Sequence, residues 1–404
     1  MHNLATIETL RGNFDEAISL HEKSLKLKQS IGDVGEIART FSELARIKAE
    51  QGEFEEALKL YKYSLSLKNP IVAPKFKALV FNNMANIYTE QRKFDEALAL
   101  YEQSFKICER LENIELKAAV LHGIGRVYDA QDRFDEAINI LHKSLELKKS
   151  IGDIKGEAAT LSTLGQLLAE EKEDFRTGLA YLEESLNIYK KLQSSSVEEI
   201  ERIILIVQQQ QAITLHNTAV SKVQEGCFDE AIILYKQSLV ITEKTGDVLD
   251  KAKTLGMLGQ LLADVKGEFD TGLDYLQQSL EILQPLQSTD VKTIKTVIFK
   301  LQKKQAITLY NEAIAEVQQK RFKKAFTLFQ QSLEITERID DIKGKAMIFV
   351  WLGKIIADEK QDYTIALDYL QKSLEILQRI KSPDAQTVRE MIDKIRSAQR
   401  NSES

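Results

Sequence analysis

Residues 94–107 read FDEALALYEQSFKI. From Ala97 onward, small or apolar side chains stand at Ala97, Leu100, Tyr101, Ser104 and Phe105, the i, i+3, i+4, i+7, i+8 spacing of one helix face. Asp95 and Glu96 precede that face, where acidic groups suit the positive end of a helix dipole. The pattern recurs along the chain. Its leading aromatic returns at Phe14, Phe54, Phe94, Phe134, Phe175, Phe228, Phe269, Phe322 and Tyr363, at intervals of 40, 40, 40, 41, 53, 41, 53 and 41 residues. A serine follows each aromatic by ten residues, from Ser24 and Ser64 to Ser332 and Ser373, and Ala or Gly follows each by three. Upstream a second small position reads Ala5, Ala45, Ala85, Gly125, Gly165, Ala219, Gly259, Ala313 and Gly353. The segment before each aromatic, such as Phe81 to Tyr88, is also helical in period, so each unit is predicted to be two antiparallel helices. The small residues leave room where helix axes cross closely, and the aromatic fills the gap beside the crossing. Pro70, Pro74, Pro285 and Pro383 fall at predicted joints between units, where a missing N–H does least harm. No strand pattern is present.

A helical hairpin with small residues at these positions, an aromatic before the second, and tyrosines such as Tyr61, Tyr88, Tyr101, Tyr128 and Tyr235 resembles the tetratricopeptide repeat. HEAT and armadillo units share the period but not this signature. The usual unit has 34 residues. A period of 40 is similar to the longer class found in kinesin light chains and Pins-type adaptors, and in bacterial arrays attached to signalling ATPases or caspase-like peptidases. The resemblance implies an all-α, right-handed α-solenoid of about nine units, closed by a C-terminal capping helix. It implies a binding scaffold rather than an enzyme.

A period of 94 residues overlies the first: Phe134, Phe228 and Phe322 are so spaced, as are Phe175, Phe269 and Tyr363. Residues 193–213 (QSSSVEEIERIILIVQQQQAI) correspond to 287–307 and 381–401. The expected organisation is regular repeats one to five over 1–192, then two repeats with an extended helix over 193–286, two more over 287–380, and a cap with its tail over 381–404. The extra residues predict lengthened first helices in repeats six and eight. Residues 384–398 carry an apolar stripe (Ala385, Val388, Ile392, Ile395) opposite Arg389, Asp393 and Arg396, as a cap requires. The first repeat starts within its first helix, which is compatible with a longer parent protein.

The 55 basic and 61 acidic residues leave a net charge of −6, which argues against nucleic acid as the partner. No apolar run is long enough for a membrane helix. Two cysteines form no disulfide framework, so a reducing, cytoplasmic compartment is expected. No catalytic motif, cofactor or metal site is predicted. Gly152-Asp153-Ile154-Lys155-Gly156 lacks the ending of a phosphate loop and sits at a joint. The five histidines (His2, His21, His122, His142, His216) are spread along the chain. Cys108 and Cys227 have no sequence-near group to activate them. Lys292, Lys295, Lys300, Lys303 and Lys304 make the second long segment locally basic, as either a solvated helix face or a dock for an acidic partner.

The expected partner is a protein or peptide, held on the inward face of the first helices. Positions two before and one after the small residue lie three apart on that face. They read Asn3 and Thr6, Glu43 and Arg46, Asn83 and Asn86, Gly123 and Arg126, Thr163 and Gln166, then Asn217, Gln260, Asn311, Trp351 and Lys354. In the arrays this chain resembles, asparagines at the first of these positions clamp extended peptides. Asn3, Asn83, Asn217 and Asn311 match; Glu43, Gly123, Thr163, Met257 and Trp351 depart. The expected contacts are Arg46, Asn83, Asn86, Arg126, Gln166, Asn217, Asn311 and Trp351, with the first two arginines favouring an acidic segment. The alternative is a sensing arm of a larger signalling protein.

Overall fold

The computed structural model describes residues 2–67 and 74–403, with side chains for all of these but 2, 3, 10, 360 and 401–403. Pro70 and the Asn3 side chain lie outside the described residues. Among the described residues every regular element is helical. The chain divides into two compact units, residues 1–210 and 211–404.

The first unit stacks helix pairs in chain order: α1 (His2–Leu10) with α2 (Phe14–Ile31), α3 (Val34–Glu50) with α4 (Phe54–Ser66), α5 (Pro74–Glu90) with α6 (Phe94–Arg110), α7 (Ile114–Ala130) with α8 (Phe134–Ile151), and α9 (Ile154–Glu171) with α10 (Phe175–Lys191). The first part of α11 (Val197–Gln224) covers α10, where Val207 and Ile200 are buried. From Gln211 the chain belongs to the second unit, where α11 pairs with α12 (Phe228–Thr245). There follow α13 (Val248–Leu261) with α14 (Phe269–Leu283), α15 (Asp290–Gln318) with α16 (Phe322–Arg338), α17 (Ile342–Ile355) with α18 (Tyr363–Arg379), and α19 (Asp384–Glu403). Each unit is thus an α-solenoid of hairpins, as the period predicts.

The aromatic opens every second helix, and the small residue of the first helix is buried at its crossing. A Cβ on Gly165 would stand 2.7 Å from the Gly178 carbonyl oxygen, and one on Gly259 would stand 2.5 Å from that of Gly272. These backbones touch, so no larger residue fits there. The recurring serine is a rivet. Its hydroxyl donates to a carbonyl in the first helix of its own pair: Ser104 to Ala78 and Ser144 to Ala118 at 2.8 Å, Ser238 to Ala212 at 2.9 Å, and Ser332 to Ala306 and Ser373 to Ala346 at 2.8 Å. Ser64 instead donates to Tyr61 O at 2.7 Å in its own helix. Asp33, Asn113, Asp153, Asp247 and Asp341 cap the first helices by accepting from the backbone N–H three residues on. The sequence at 152–157, read as a joint and not a phosphate loop, is accordingly a helix cap.

The longer intervals have direct structural readings. α11 and α15 have 28 and 29 residues, against 17 in α3, α5 and α7. The single residue added in two of the 41-residue intervals is absorbed as a π-helical turn at Leu262–Lys266 and Ile356–Lys360. α19 buries Val388 and Ile392 against Ala346, Val350, Leu370, Leu374 and Leu377. It caps the last hairpin as expected and runs on to Glu403.

Candidate functional site

In the first unit, α3, α5 and α7 present their polar positions beside two buried tyrosines of the second helices. Burial pushes the Tyr61 hydroxyl above its ordinary pKa, while the Asn83 side chain, hydrogen-bonded to it, and the nearby Arg46 charge work the other way. The Tyr101 hydroxyl donates to Asn86 Oδ1 at 2.6 Å, and the Arg126 charge lies close to it. A Cβ at position 123 would collide with the Tyr101 ring, so Gly123 makes room for that ring. The structure therefore brings Arg46, Asn83, Asn86 and Arg126 into one row of half-buried side chains across three first helices.

Neither arginine of the row is free. Arg46 pairs with Glu50 at 2.6 Å and Glu43 at 3.1 Å, both on its own helix. Arg126 pairs with Glu90 of α5 at 2.8 Å. Further along, Gln166 donates to Glu170 at 3.4 Å. Burial, and then the charges of Glu171 and Glu170, raise the Asp129 carboxyl above its usual range. The row offers amides and balanced charge, so a partner carboxylate would have to displace a resident glutamate to reach either guanidinium.

In the second unit Asn217 and Asn311 are exposed and line two clefts at equivalent positions, 94 residues apart. The first cleft, about 340 Å³, is bounded by Ile213, His216, Ser238 and the Lys253–Asp250 pair, 2.9 Å apart. The second, about 470 Å³, has Ile307, Tyr310, Met347 and Ile348 on its walls. Trp351 is half-buried beside it. Its indole N–H donates to the Tyr310 hydroxyl at 2.9 Å, its ring stacks on Phe329 with centroids 6.0 Å apart, and the Lys354 ammonium sits over its face. It also lines a cleft of about 190 Å³ against Val388 and Met391 of α19. Asn311 and Trp351 thus share one region of the second unit and Asn217 lines another cleft of it, while Gln166 stands on α9 of the first unit.

Two features escape a residue-by-residue reading. His122 and His216 are not scattered but equivalent, 94 residues apart. Each has Nδ1 next to a threonine hydroxyl of the following first helix: Thr160 at 3.2 Å and Thr254 at 2.9 Å. In the first unit Lys148, only 5% exposed, fills the space behind this pair, donating to Thr160 Oγ1 at 2.7 Å and Gly156 O at 3.1 Å. Burial holds the Lys148 ammonium down to about 8, and burial with the Lys148 and Arg126 charges holds His122 down to about 3. The second feature is Tyr235, fully buried, whose hydroxyl has no partner among the described residues. Residues equivalent to the amides that serve Tyr61 and Tyr101 are here Met257 and Val220.

Among the described residues no group of three or more His, Cys, Asp or Glu is placed to hold a metal ion. Cys108 is buried, and burial raises its thiol pKa. No helix among the described residues is long and apolar enough to cross a membrane.

Stacked hairpins with tight small-residue crossings and a polar first-helix face define a helical-repeat protein of the scaffold class. The tetratricopeptide repeat profile matches residues 1–69, 76–150, 210–286 and 304–379, so the chain belongs to the tetratricopeptide repeat family. No curated protein matches it. Among solved structures it is similar to the apo form of RapI, at 14% identity and a TM-score of 0.37, over 75% of this chain and 99% of that one. It is similar to the tetratricopeptide-like repeats of a putative kinesin light chain from Podosopora anserina, at 20% identity and a TM-score of 0.37, over 48% and 94%. A signal transduction ATPase with numerous domains from Pyrococcus horikoshii, which has a tetratricopeptide repeat sensor, aligns at 14% identity and a TM-score of 0.40 over 98% of this chain and 49% of that protein. These likenesses are of fold alone.

Proposed function

We propose that the first-unit row is the site at which this protein–protein interaction scaffold holds an extended segment of a partner. The reading rests on one observation: Asn83 and Asn86 stand one helical turn apart, half-buried and flanked by paired arginines, with Asn86 accepting from the Tyr101 hydroxyl at 2.6 Å and Asn83 beside the Tyr61 hydroxyl. A side-chain amide offers a donor and an acceptor together, which is what a main-chain amide needs. Tyr101 fixes the Asn86 amide before binding, so little of its rotamer freedom remains to be lost. Arg46 and Arg126, already balanced by Glu43, Glu50 and Glu90, suit a segment read through its backbone.

The test begins with capture of the partner from the native host and identification by mass spectrometry. Asn83→Ala with Arg126→Ala removes half-buried groups and leaves the crossings intact. Partner affinity is expected to fall at least tenfold, about 1.4 kcal/mol. Unchanged affinity would move the site away from this face. A regulatory arm within a longer signalling protein would use the same row, and the mass of the native gene product distinguishes that arrangement from a free scaffold.

A further inference from the structure

The lysine-rich part of α15 is more than a solvated helix. Between Val291 and Asn311 the chain carries five lysines and no acidic residue, within a protein of net charge −6. Lys292, Lys295, Phe299, Lys303 and Ile307 follow one another at spacings of three, four, four and four, so they share a single face about 22 Å long at 1.5 Å per residue. Phe299 is 48% exposed and Ile307 50% exposed on that face. At one end the strip opens on the shelf formed by Val291, Lys292, Lys295 and Phe299. At the other it enters the cleft walled by Ile307, Tyr310, Met347 and Ile348, with Lys303 and Lys343 at the rim. Lys292, Lys295 and Lys343 take part in no ion pair among the described residues, and Lys303 has only Asp341, at 3.8 Å.

The duplication shows that this surface is particular to α15. Ninety-four residues earlier, α11 has Glu198 at the position of Lys292, Glu201 at that of Lys295, Leu205 at that of Phe299 and Gln209 at that of Lys303. The long helix as an element therefore accepts either charge. What α15 adds is a row of cations, of which only Lys303 has an acidic partner, interspersed with large apolar side chains. Such a surface is complementary to a chain that alternates carboxylates with aliphatic groups: the charges pair along the rim, and an apolar side chain fills the cleft. A polyanion such as nucleic acid or a lipid surface would meet the lysines but leave the apolar cleft without an occupant.

We infer that α15, with the α15–α17 cleft, is a docking site for an acidic protein segment that carries aliphatic side chains. It lies in the other unit from the first-unit row, so either reading can fail without the other. The probe is a fluorescein-labelled synthetic peptide of alternating Glu and Leu, titrated into the full chain and followed by anisotropy. Its Gln/Leu counterpart, a single-stranded DNA oligonucleotide and phosphatidylserine vesicles are run beside it.

The Glu/Leu peptide is expected to bind, the Gln/Leu peptide at least tenfold more weakly, with affinity falling as salt rises. Lys292→Glu with Lys295→Glu and Lys303→Gln writes the α11 residues into α15, so the fold is expected to hold, and Glu/Leu affinity should drop at least tenfold. Ile307→Asn, uncharged and at a half-exposed position, should reproduce the loss through the cleft alone. Asn83→Ala with Arg126→Ala should leave this binding unchanged. Absence of Glu/Leu binding, or equal binding by the α11-like variant with an intact circular dichroism spectrum, overturns the inference. So does tighter, lysine-dependent binding of the oligonucleotide or the vesicles than of the peptide.

Discussion

The first-helix faces of the two units are built on the same hairpin and end in opposite chemistry. Across α3, α5 and α7 the face holds Glu43, Arg46, Glu50, Asn83, Asn86, Glu90 and Arg126, and its charges are matched inside the unit. Across α15 and α17 it holds Ile307, Tyr310, Met347 and Trp351, with Lys292, Lys295 and Lys343 in no ion pair among the described residues. The crossings beneath are alike: small residues at Ala45, Ala85 and Gly125 in one, Ala313 and Gly353 in the other. Packing is thus fixed by a few positions per hairpin, and the exposed face is left open to diverge. That is why the fold alone does not name a partner, and why the two faces are separable by mutation.

The largest expected effect tests whether the second unit depends on its closing helix. Ending the chain after Pro383 removes Val388 and Ile392, buried on α17 and α18, and strips cover from Leu370, Leu374 and Leu377. Two such side chains account for about 1.5–3 kcal/mol each. Hydrogen exchange should rise sharply in α17 and α18 and little before α11, because hairpins are stabilised by their neighbours. A truncated chain with unchanged protection in α17 and α18 would show that α19 is an appendage.

Next in size is the crossing of the first unit. Gly165→Val drives two methyl groups towards the Gly178 carbonyl and is expected to destabilise by about 3 kcal/mol, the upper part of the range for overpacking. Chemical denaturation with exchange read by mass spectrometry should place the loss in α9 and α10. A uniform loss through both units would mean that they unfold together.

The fold was legible because its determinants repeat: an aromatic, a serine and two small residues recur nine times, and the 53-residue intervals announce the long helices. The site was legible in part. That Arg46 lies between Glu43 and Glu50 follows from helical spacing, so its neutralisation could have been read directly. The Arg126–Glu90 pair joins residues 36 apart and needs the stacking of α5 against α7. The role of the serines from Ser104 onward also lay out of reach, since the acceptor is a carbonyl 26 or 27 residues upstream. The equivalence of His122 and His216 was present at the 94-residue period and was obscured by treating histidines one repeat at a time.

That pair gives a pH comparison. His122 titrates near 3 in the folded chain, against an unfolded value of 6.5. Between those values the unfolded state binds a proton that the folded state does not, so stability rises with pH and is lost as pH falls from 6.5 towards 3. At pH 4.5, two units below the unfolded value, the loss from this group is up to roughly 3 kcal/mol. His216 is also lowered, chiefly by burial, but it faces Asp250, and Thr242 stands where Lys148 stands in the first unit. His122→Asn should therefore flatten the acid limb of the melting temperature more than His216→Asn. Equal flattening would show that Lys148 contributes nothing to the difference.

The smallest effect separates two tyrosines that occupy the same place in their hairpins. Tyr101 and Tyr235 are both fully buried, and each carries one hydroxyl into the space between first helices. For Tyr101 the Asn86 oxygen is there to accept, at 2.6 Å. For Tyr235 the equivalent residue is Val220, the next candidate is Met257, and the hydroxyl is left without a partner. Burying a hydroxyl is unfavourable unless its hydrogen bond is made, and removing one partner of a made bond also strands the other. Tyr101→Phe strands the Asn86 oxygen and should destabilise the first unit by about 1 kcal/mol. Tyr235→Phe strands nothing and should leave the second unit as stable or slightly more so. At Phe329, in the equivalent place between α15 and α17, the chain already carries the ring without the hydroxyl, stacked on Trp351. Parallel urea titrations of the two variants measure the difference. Equal losses at both sites would mean that the Tyr235 hydroxyl is satisfied in solution, by an ordered water or by a rotation of His216, whose ring lies 5.3 Å away.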